Sequence, residues 1–279
     1  MNKLLDNDSD AGVAMKLLRP MRDADIDAVV ALIETHDEDD AEEAQRFYRE
    51  FNGCFGQFVL EQQGEVVGVT GFEAPTGCEQ TYWINWTYID ASHCNRGLGR
   101  RMLTELFDYL EHQQGARKLF VKVSDYVDPE DGPLYAAALH LYQSMGFAIE
   151  VEHRDFYAVG EAQIILGRRM QPGQQAAIEE QRVAIQFNEI FEIGETEGSW
   201  SFGWHEQRKR GADAPFTVQE LQTGLDAVRA EGARVVFLSF PSDYAGIREP
   251  LLEAGFGEAG KLLDYYADGI DELHYAFTF

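Results

Sequence analysis

The hydrophobic pattern changes period several times along the 279 residues, and each change marks an element. MKLLRP, from Met15, predicts a short strand, and Asp23 then caps a helix carrying Ile26, Val29, Val30 and Ile33 at i, i+3, i+4 and i+7. Glu34–Glu50 holds 8 carboxylates against Arg46 and Arg49, and reads as a solvated helix face with its preceding loop. QFVLEQ, a turn at Gln63-Gly64 and EVVGVTGFE alternate as an antiparallel hairpin, followed by an aromatic and β-branched strand from Thr81 to Asp90. Leu103, Leu106 and Leu110 recur at helical spacing, with Gly115 as the residue that ends the helix. A strand (Ala116 to Ser124), a polar insert (DYVDPEDGP), a helix (YAAALHLYQSM) ending at Gly146-Phe147 and a hairpin closing near Met170 complete the unit. Gln171 to Gln175 reads as a linker.

Residues 171–279 echo what precedes them. Gly115-Ala116-Arg117 plus an apolar strand recurs as Gly232-Ala233-Arg234 plus VVFLSF. Gly146-Phe147, Asp155, Tyr157-Ala158 and Gly160 recur as Gly255-Phe256, Asp264, Tyr266-Ala267 and Gly269, at a constant offset of 109. Thr217 with Glu220 forms a capping box for a helix with Leu221, Leu225 and Val228 on its apolar face. The expected organisation is a flexible tail (1–14), a first domain (15–170) and a partial copy of it (171–279).

Composition narrows the function classes. Asp and Glu number 49 against 23 Lys and Arg, for a net charge of −26. Beyond residue 170 there are 19 acidic and 8 basic residues, so both parts are acidic and neither offers a basic face to nucleic acid. Only 6 bases are Lys, a balance expected of either a salty cell interior or compositional drift toward solubility. Cys54, Cys78 and Cys94 lack C-x-x-C spacing and are odd in number, which points to a reducing cytoplasm. No run approaches a membrane span, the first residues do not read as a leader, and the seven histidines show no metal-ligand spacing.

Against that background one segment reverses sign. Asn95-Arg96-Gly97-Leu98-Gly99-Arg100-Arg101 lies between the strand ending near Ile89 and the following helix. Backbone N–H groups at a helix N-terminus converge there on one point, the positive end of the helix dipole, and three Arg side chains add charge. A phosphate site is expected. G-x-G-x-x-G fails because position 102 is Met, and no Gly-Lys-Ser/Thr follows.

Cys94-Asn95-Arg96-Gly97-Leu98-Gly99 resembles the Gln/Arg-x-x-Gly-x-Gly/Ala pyrophosphate loop of the GNAT superfamily of acetyl-coenzyme A dependent N-acetyltransferases, with Cys94 where Gln or Arg is usual. Leu141-Tyr142-Gln143-Ser144-Met145-Gly146-Phe147 resembles the same family's Tyr followed by Gly-Phe; Tyr135 stands where that family has Asn. The resemblance covers residues 15–170 well and 215–279 more weakly. It implies a mixed, mostly antiparallel sheet flanked by helices, an α/β (α+β) fold, here partly duplicated. It further implies that acetyl-coenzyme A is the cosubstrate and needs no metal, and that an amine attacks its thioester directly. Coenzyme A would lie between the strand ending at Ile89 and the strand from Lys118, with main-chain groups near Tyr88 and Ile89 holding its arm and the loop 95–101 holding its phosphates. Tyr142 would be the general acid.

The base is open among Glu73, Glu79, Asp90 and a water chain. Acidic surroundings, with Tyr82, Trp83 and Trp86, suit a small cationic or amine-bearing acceptor through cation–π contact. In the C-terminal copy Leu251 replaces Tyr142, and Gln207 to Asp213 puts Asp where the second loop Gly belongs, so a structural role is expected for that half. Either a monomer by intramolecular pairing or a homodimer follows. The competing readings are a non-catalytic coenzyme A-binding module and a structural pseudo-enzyme.

Overall fold

The computed structural model describes residues 15, 17–50, 53–130, 132–173, 178–207 and 214–279. The expected tail 1–14, part of the linker and the basic loop at 208–213 lie outside the described residues. The chain divides into two compact units, Met1–Ala74 with Tyr82–Arg117, and Pro75–Thr81 with Lys118–Phe279. The expected boundary at residue 170 falls inside the second.

In the first unit, β1 (Leu18–Pro20), β2 (Gln57–Gln62), β3 (Glu65–Glu73) and β4 (Thr81–Ile89) pair antiparallel in that order. Gln63 and Gly64 both take positive φ (54° and 89°), the paired left-handed geometry that matches a two-residue turn to the strands' twist. α1 (Ile26–Glu34) and α2 (Glu38–Glu50) bury Ile26, Val29, Leu32, Ile33, Ala41, Ala44 and Tyr48 against Val59 and Val69. Asp25, not Asp23, fastens the 3-10 turn that leads into α1. Its carboxylate accepts the Arg22 N–H (2.8 Å) and both terminal nitrogens of Arg19 (2.7 and 2.8 Å), because Asp23–Asp25 already turns as a short 3-10 segment. The Arg19 guanidinium holds the Asp25 carboxyl below its ordinary range.

α3 (Leu98–Gln113) buries Leu98, Met102, Leu103, Leu106, Phe107 and Leu110. It ends as expected: Gly115 takes φ 65° and the Ala116 N–H returns to the Leu110 carbonyl at 2.8 Å. Its distance from the sheet depends on Gly68, where a Cβ would lie 2.8 Å from Ile89 Cδ1 and 3.2 Å from Met102 Sδ. Gly68→Ala is expected to overpack this contact and lower stability by about 1–3 kcal/mol, measured by denaturant unfolding. An unchanged midpoint would show that the neighbours yield freely.

The second unit has β5 (Lys118–Ser124), a two-stranded ribbon of β6 (Val127–Asp128) and β7 (Gly132–Pro133), α4 (Ala136–Ser144), β8 (Ala148–His153), β9 (Gln163–Arg169), β10 (Ala184–Glu192), β11 (Ser199–Gln207), α5 (Val218–Ala230), β12 (Val235–Pro241), α6 (Arg248–Ala254), β13 (Gly257–Ala267) and β14 (Ile270–Thr278). Its sheet runs β5-β9-β8-β13-β14-β12-β11-β10, antiparallel except between β11 and β12. The residues 75–81 belong here because the Glu79 N–H donates to the Tyr266 carbonyl (2.7 Å) and the Thr81 hydroxyl to that of Tyr265 (2.8 Å).

Local structure recurs at the 109-residue spacing. Asp155 and Asp264 take φ 53° and 56°, and each carboxylate accepts an N–H five residues on, Gly160 and Gly269, at 2.7 Å in both cases. The Phe147 and Phe256 N–H groups return to the carbonyls of Tyr142 and Leu251 at 3.1 and 3.0 Å. β8 meets β13 antiparallel with Val151 opposite Gly260, which stands 109 residues on. The Thr217–Glu220 capping box is formed, with Leu221, Leu225 and Val228 buried beneath it. The hairpin β10–β11 has no element in the sequence reading, although its alternating pattern (AIQFNEIFE, SWSFGWHEQ) carries the period-2 signal.

Candidate active site

The loop predicted to hold an anion is built by three backbone devices within the first unit. β4 carries a bulge, since Asn85 pairs with Gly71 and Tyr88 with Val69, and Trp86 in the extra stretch has φ 46°. Past the strand, the Asp90 N–H still reaches the Val67 carbonyl (3.0 Å), while its carboxylate caps the next turn through the Ser92 N–H (2.9 Å) and His93 Nδ1 (3.1 Å). The Ser92 hydroxyl, which also donates to this carboxylate, and then His93 hold the Asp90 carboxyl below its ordinary range. Asp90 is thereby occupied as a cap.

Asn95 (φ 60°) and Gly97 (φ 74°) then turn the chain into α3, with Gly97 at the N-cap and no side chain capping it. The first helical bond runs from the Arg101 N–H to the Gly97 carbonyl (3.2 Å), so the N–H groups of Leu98, Gly99 and Arg100 precede the ladder. The first turn has no acidic residue, and Arg96, Arg100 and Arg101 are exposed around it. Nothing lies within 4 Å of a Cβ built on Gly97. Donors, dipole, charge and open space therefore coincide at one point.

Tyr88 and Ile89 close β4 beside this loop. The Ile89 carbonyl accepts His36 Nε2 at 2.7 Å and lies 3.5 Å from Cys94 Sγ, while the Tyr88 hydroxyl donates to the Asp40 carboxylate. His36 and Asp40 therefore tie the segment leading into α2 to the end of β4, a link for which the sequence holds no signal beyond the acidic run. Burial raises the Cys94 thiol above its ordinary range, which keeps it protonated and unsuited to nucleophilic attack.

The bulge also separates aromatics that a regular strand would place together. Trp86 packs against Phe47 and Tyr48 of α2, with centroids 5.6 and 5.9 Å away. Tyr82 instead lies edge-on to Phe72 (5.5 Å) and donates to the Gln114 carbonyl beyond α3 (3.3 Å). Tyr82 is thus a packing residue on the α3 side, because one extra residue in a strand reverses the faces of those after it. The Tyr48 hydroxyl and Gln57 Oε1 are buried without a hydrogen-bond partner.

The remaining predicted residues belong to both units. Glu73 is exposed at the end of β3, opposite Trp83. Glu79 is exposed in the second unit. Tyr142 belongs to that unit also, near the end of α4, 4% exposed and with its ring 5.5 Å from that of Phe147. A buried polar chain elsewhere in the unit joins His153 Nε2 to His274 Nδ1 (3.0 Å) and His274 Nε2 to Glu272 (2.9 Å). Burial, aided by His274, drives His153 down to about 3, so it is a neutral core imidazole. Among the described residues no three His, Cys, Asp or Glu side chains gather as metal ligands, and no helix is long and apolar enough to cross a membrane.

Residues 21–147 match the acetyltransferase (GNAT) family. Solved structures similar to the chain include an acetyltransferase assigned to that family from Desulfovibrio desulfuricans (23% identity, 55% of this chain and 97% of that one, TM-score 0.48). Others are an aminoglycoside 6′-N-acetyltransferase complexed with coenzyme A (13%, 57% and 100%, 0.45) and the ribosomal-protein-S18-alanine N-acetyltransferase of Escherichia coli (20%, 57% and 97%, 0.44). No curated protein matches the chain.

Proposed function

We propose that the protein is an N-acetyltransferase that moves acetyl from acetyl-coenzyme A to a primary amine. The observation that carries this reading is the uncapped N-terminus of α3, entered through Gly97 at positive φ and ringed by Arg96, Arg100 and Arg101 in a chain of net charge −26. A pyrophosphate fits that point. Bound there, acetyl-coenzyme A supplies an activated acetyl thioester. Asn95 to Arg101 hold the phosphates, through N–H donors where the backbone approaches closely and guanidinium groups at the rim. The chain at Tyr88 and Ile89 borders the arm, with the Ile89 carbonyl engaged by His36. Glu79 or Glu73 takes the proton that the acceptor ammonium loses so that its amine can attack the thioester, and Tyr142 donates the proton that the departing thiolate takes up.

In the same reading residues 15–170 form the catalytic domain and 171–279 a degenerate copy of it. The recurring Asp–Gly turns support the copy, and Leu251 at the place of Tyr142 supports its loss of catalysis. The half-buried cysteines Cys54, Cys78 and Cys94, none of them in a disulfide, favour a cytoplasmic setting. The burial of Tyr142 favours a second reading, a module that binds coenzyme A without turnover. A thiol-release assay across small amines, polyamines, aminoglycosides, amino acids and peptide N-termini, run beside calorimetry with coenzyme A, separates the two. Binding together with amine-dependent thiol release is expected. Binding with no release from any amine leaves the second reading, and absence of binding removes both.

A further inference from the structure

A chain of hydrogen bonds crosses the second unit from Glu272 on β14 to Tyr157, just past β8. His274 Nε2 lies 2.9 Å from the Glu272 carboxylate, and His274 Nδ1 lies 3.0 Å from His153 Nε2. His153 Nδ1 then lies 3.4 Å from Gln163 Oε1, and Gln163 Nε2 donates to the Tyr157 hydroxyl at 3.4 Å. The Ser239 and Tyr266 hydroxyls both donate to the other Glu272 oxygen at 3.1 Å. Tyr157 and Gln163 stand 109 residues before Tyr266 and Glu272, whereas Leu262 and Ile165 stand at that spacing from His153 and His274. Two imidazoles therefore join a tyrosine–amide pair to a tyrosine–carboxylate pair, and they have no counterpart in the recurring pattern.

The two ends of this bridge differ in charge. Burial works against a charged Glu272, but bonds from His274, Ser239 and Tyr266 outweigh it and hold the carboxyl below its ordinary range. A carboxylate only accepts, so His274 Nε2 carries a proton. His153 has His274 and Gln163 as its partners and packs on Phe156 and Phe237, with centroids 5.8 and 4.7 Å away. Burial, then His274 and Lys122 of β5, disfavour a charge on it. The titratable groups facing the two imidazoles are thus Glu272 and Lys122, with Tyr266 of β13 on Glu272 and Cys78 beside Tyr266.

Donors and acceptors then match along the chain in two arrangements. With His274 neutral, its Nδ1 accepts from His153 Nε2, His153 Nδ1 accepts from the Gln163 amide, and Tyr157 donates to the Gln163 oxygen. With His274 protonated on both nitrogens, each of these bonds runs the other way. Gln163 stands in the second arrangement, its oxygen toward His153 and its nitrogen toward Tyr157. An amide keeps its outline when oxygen and nitrogen exchange places, so the same side chain serves both.

We infer that this chain is a one-proton switch, in which proton uptake makes His274 a cation and reverses every hydrogen bond from His274 Nδ1 to Tyr157. The proton on His153 Nε2 passes to His274 Nδ1, and the incoming proton settles on His153 Nδ1. His153 changes tautomer and stays neutral. Glu272 supplies the counter-charge that a buried imidazolium requires. At the far end the half-buried Tyr157 changes from donor to acceptor, and its own O–H is released from Gln163. The switch is independent of the acetyl-transfer reading.

The imidazole nitrogen and carbon resonances of the labelled full chain, followed from about pH 8 to about pH 5, distinguish the two neutral tautomers from the cation. One transition is expected, in which His274 becomes the cation and His153 moves its proton from Nε2 to Nδ1 at the same midpoint. Glu272→Gln, which removes the counter-charge, should lower that midpoint by at least about one pH unit. Gln163→Met, which leaves His153 Nδ1 no oxygen to donate to, should lower it also. The parent spectra decide the matter if a variant does not fold. A charge on His153, separate midpoints for the two rings, a His153 tautomer that never changes, or an unchanged midpoint in either folded variant overturns the inference.

Discussion

Gly97→Glu is expected to weaken coenzyme A binding about a hundredfold while leaving the protein folded. Two effects act together on the ligand. A residue with a Cβ at φ 74° costs roughly 1–2 kcal/mol. The carboxylate enters open space beside the phosphates, where like charges about 5 Å apart at an effective dielectric between protein and water repel by about 1–3 kcal/mol. A third effect opposes the first, since a carboxylate at a helix N-terminus gains about 0.3–1 kcal/mol from the dipole, which offsets part of the strain and keeps α3 folded. Gly97→Ala isolates the strain, because nothing lies within 4 Å of the added methyl, and should cost less than tenfold in affinity. Calorimetry at two salt concentrations checks the cause: the gap between the Glu and Ala variants should narrow as salt screens the repulsion. Equal affinities for the Glu variant and the parent would remove the phosphates from this loop.

That loop was legible in the sequence because its signal is local. Gly-x-Gly between strand and helix, flanked by Arg in an acidic chain, fixes a backbone turn, a dipole and a charge within seven residues, all of which the fold reproduces. The Thr217–Glu220 box and the Gln63-Gly64 turn were legible for the same reason. What the sequence could not reveal depends on partners distant along the chain. The bulge at Trp86 redirects Tyr82 and Trp86 to different sides, yet nothing in TYWINWTYI distinguishes a bulged strand from a regular one. His36 reaches the Ile89 carbonyl across 53 residues of chain. Asp23 and Asp25 are equally good caps by residue type, yet the Asp25 side chain makes no cap bond in α1 and pairs with Arg19 instead.

The recurrence in the second unit shows both behaviours. Matching turn residues at offset 109 predicted matching turns, since positive φ and an Asp acceptor are set by a few adjacent residues. The bulges at Glu150 in β8 and Ala259 in β13, also 109 residues apart, could not be foreseen, because the two residues have nothing chemical in common and only the strand register equates them.

Tyr142→Phe is expected to lower kcat about 10²–10³-fold with coenzyme affinity and amine KM nearly unchanged. The substitution removes one oxygen and keeps the ring that packs on Phe147, so stability should change by no more than about 1 kcal/mol. A proton donor in the transition state acts on turnover and not on ground-state binding, which predicts the split between kcat and KM. Burial alone would give a different pattern, since loss of a packing residue moves stability and affinity together. The chemistry offers a sharper check. A thioester whose thiol is more acidic than that of coenzyme A needs less help from a proton donor, so the variant should recover much of its rate on an aryl thioester while the parent gains little. If the variant turns over within about threefold of the parent on both, the hydroxyl gives up no proton in the rate-determining step. If instead it loses coenzyme binding, Tyr142 serves to shape the binding face, and the acid must be sought elsewhere.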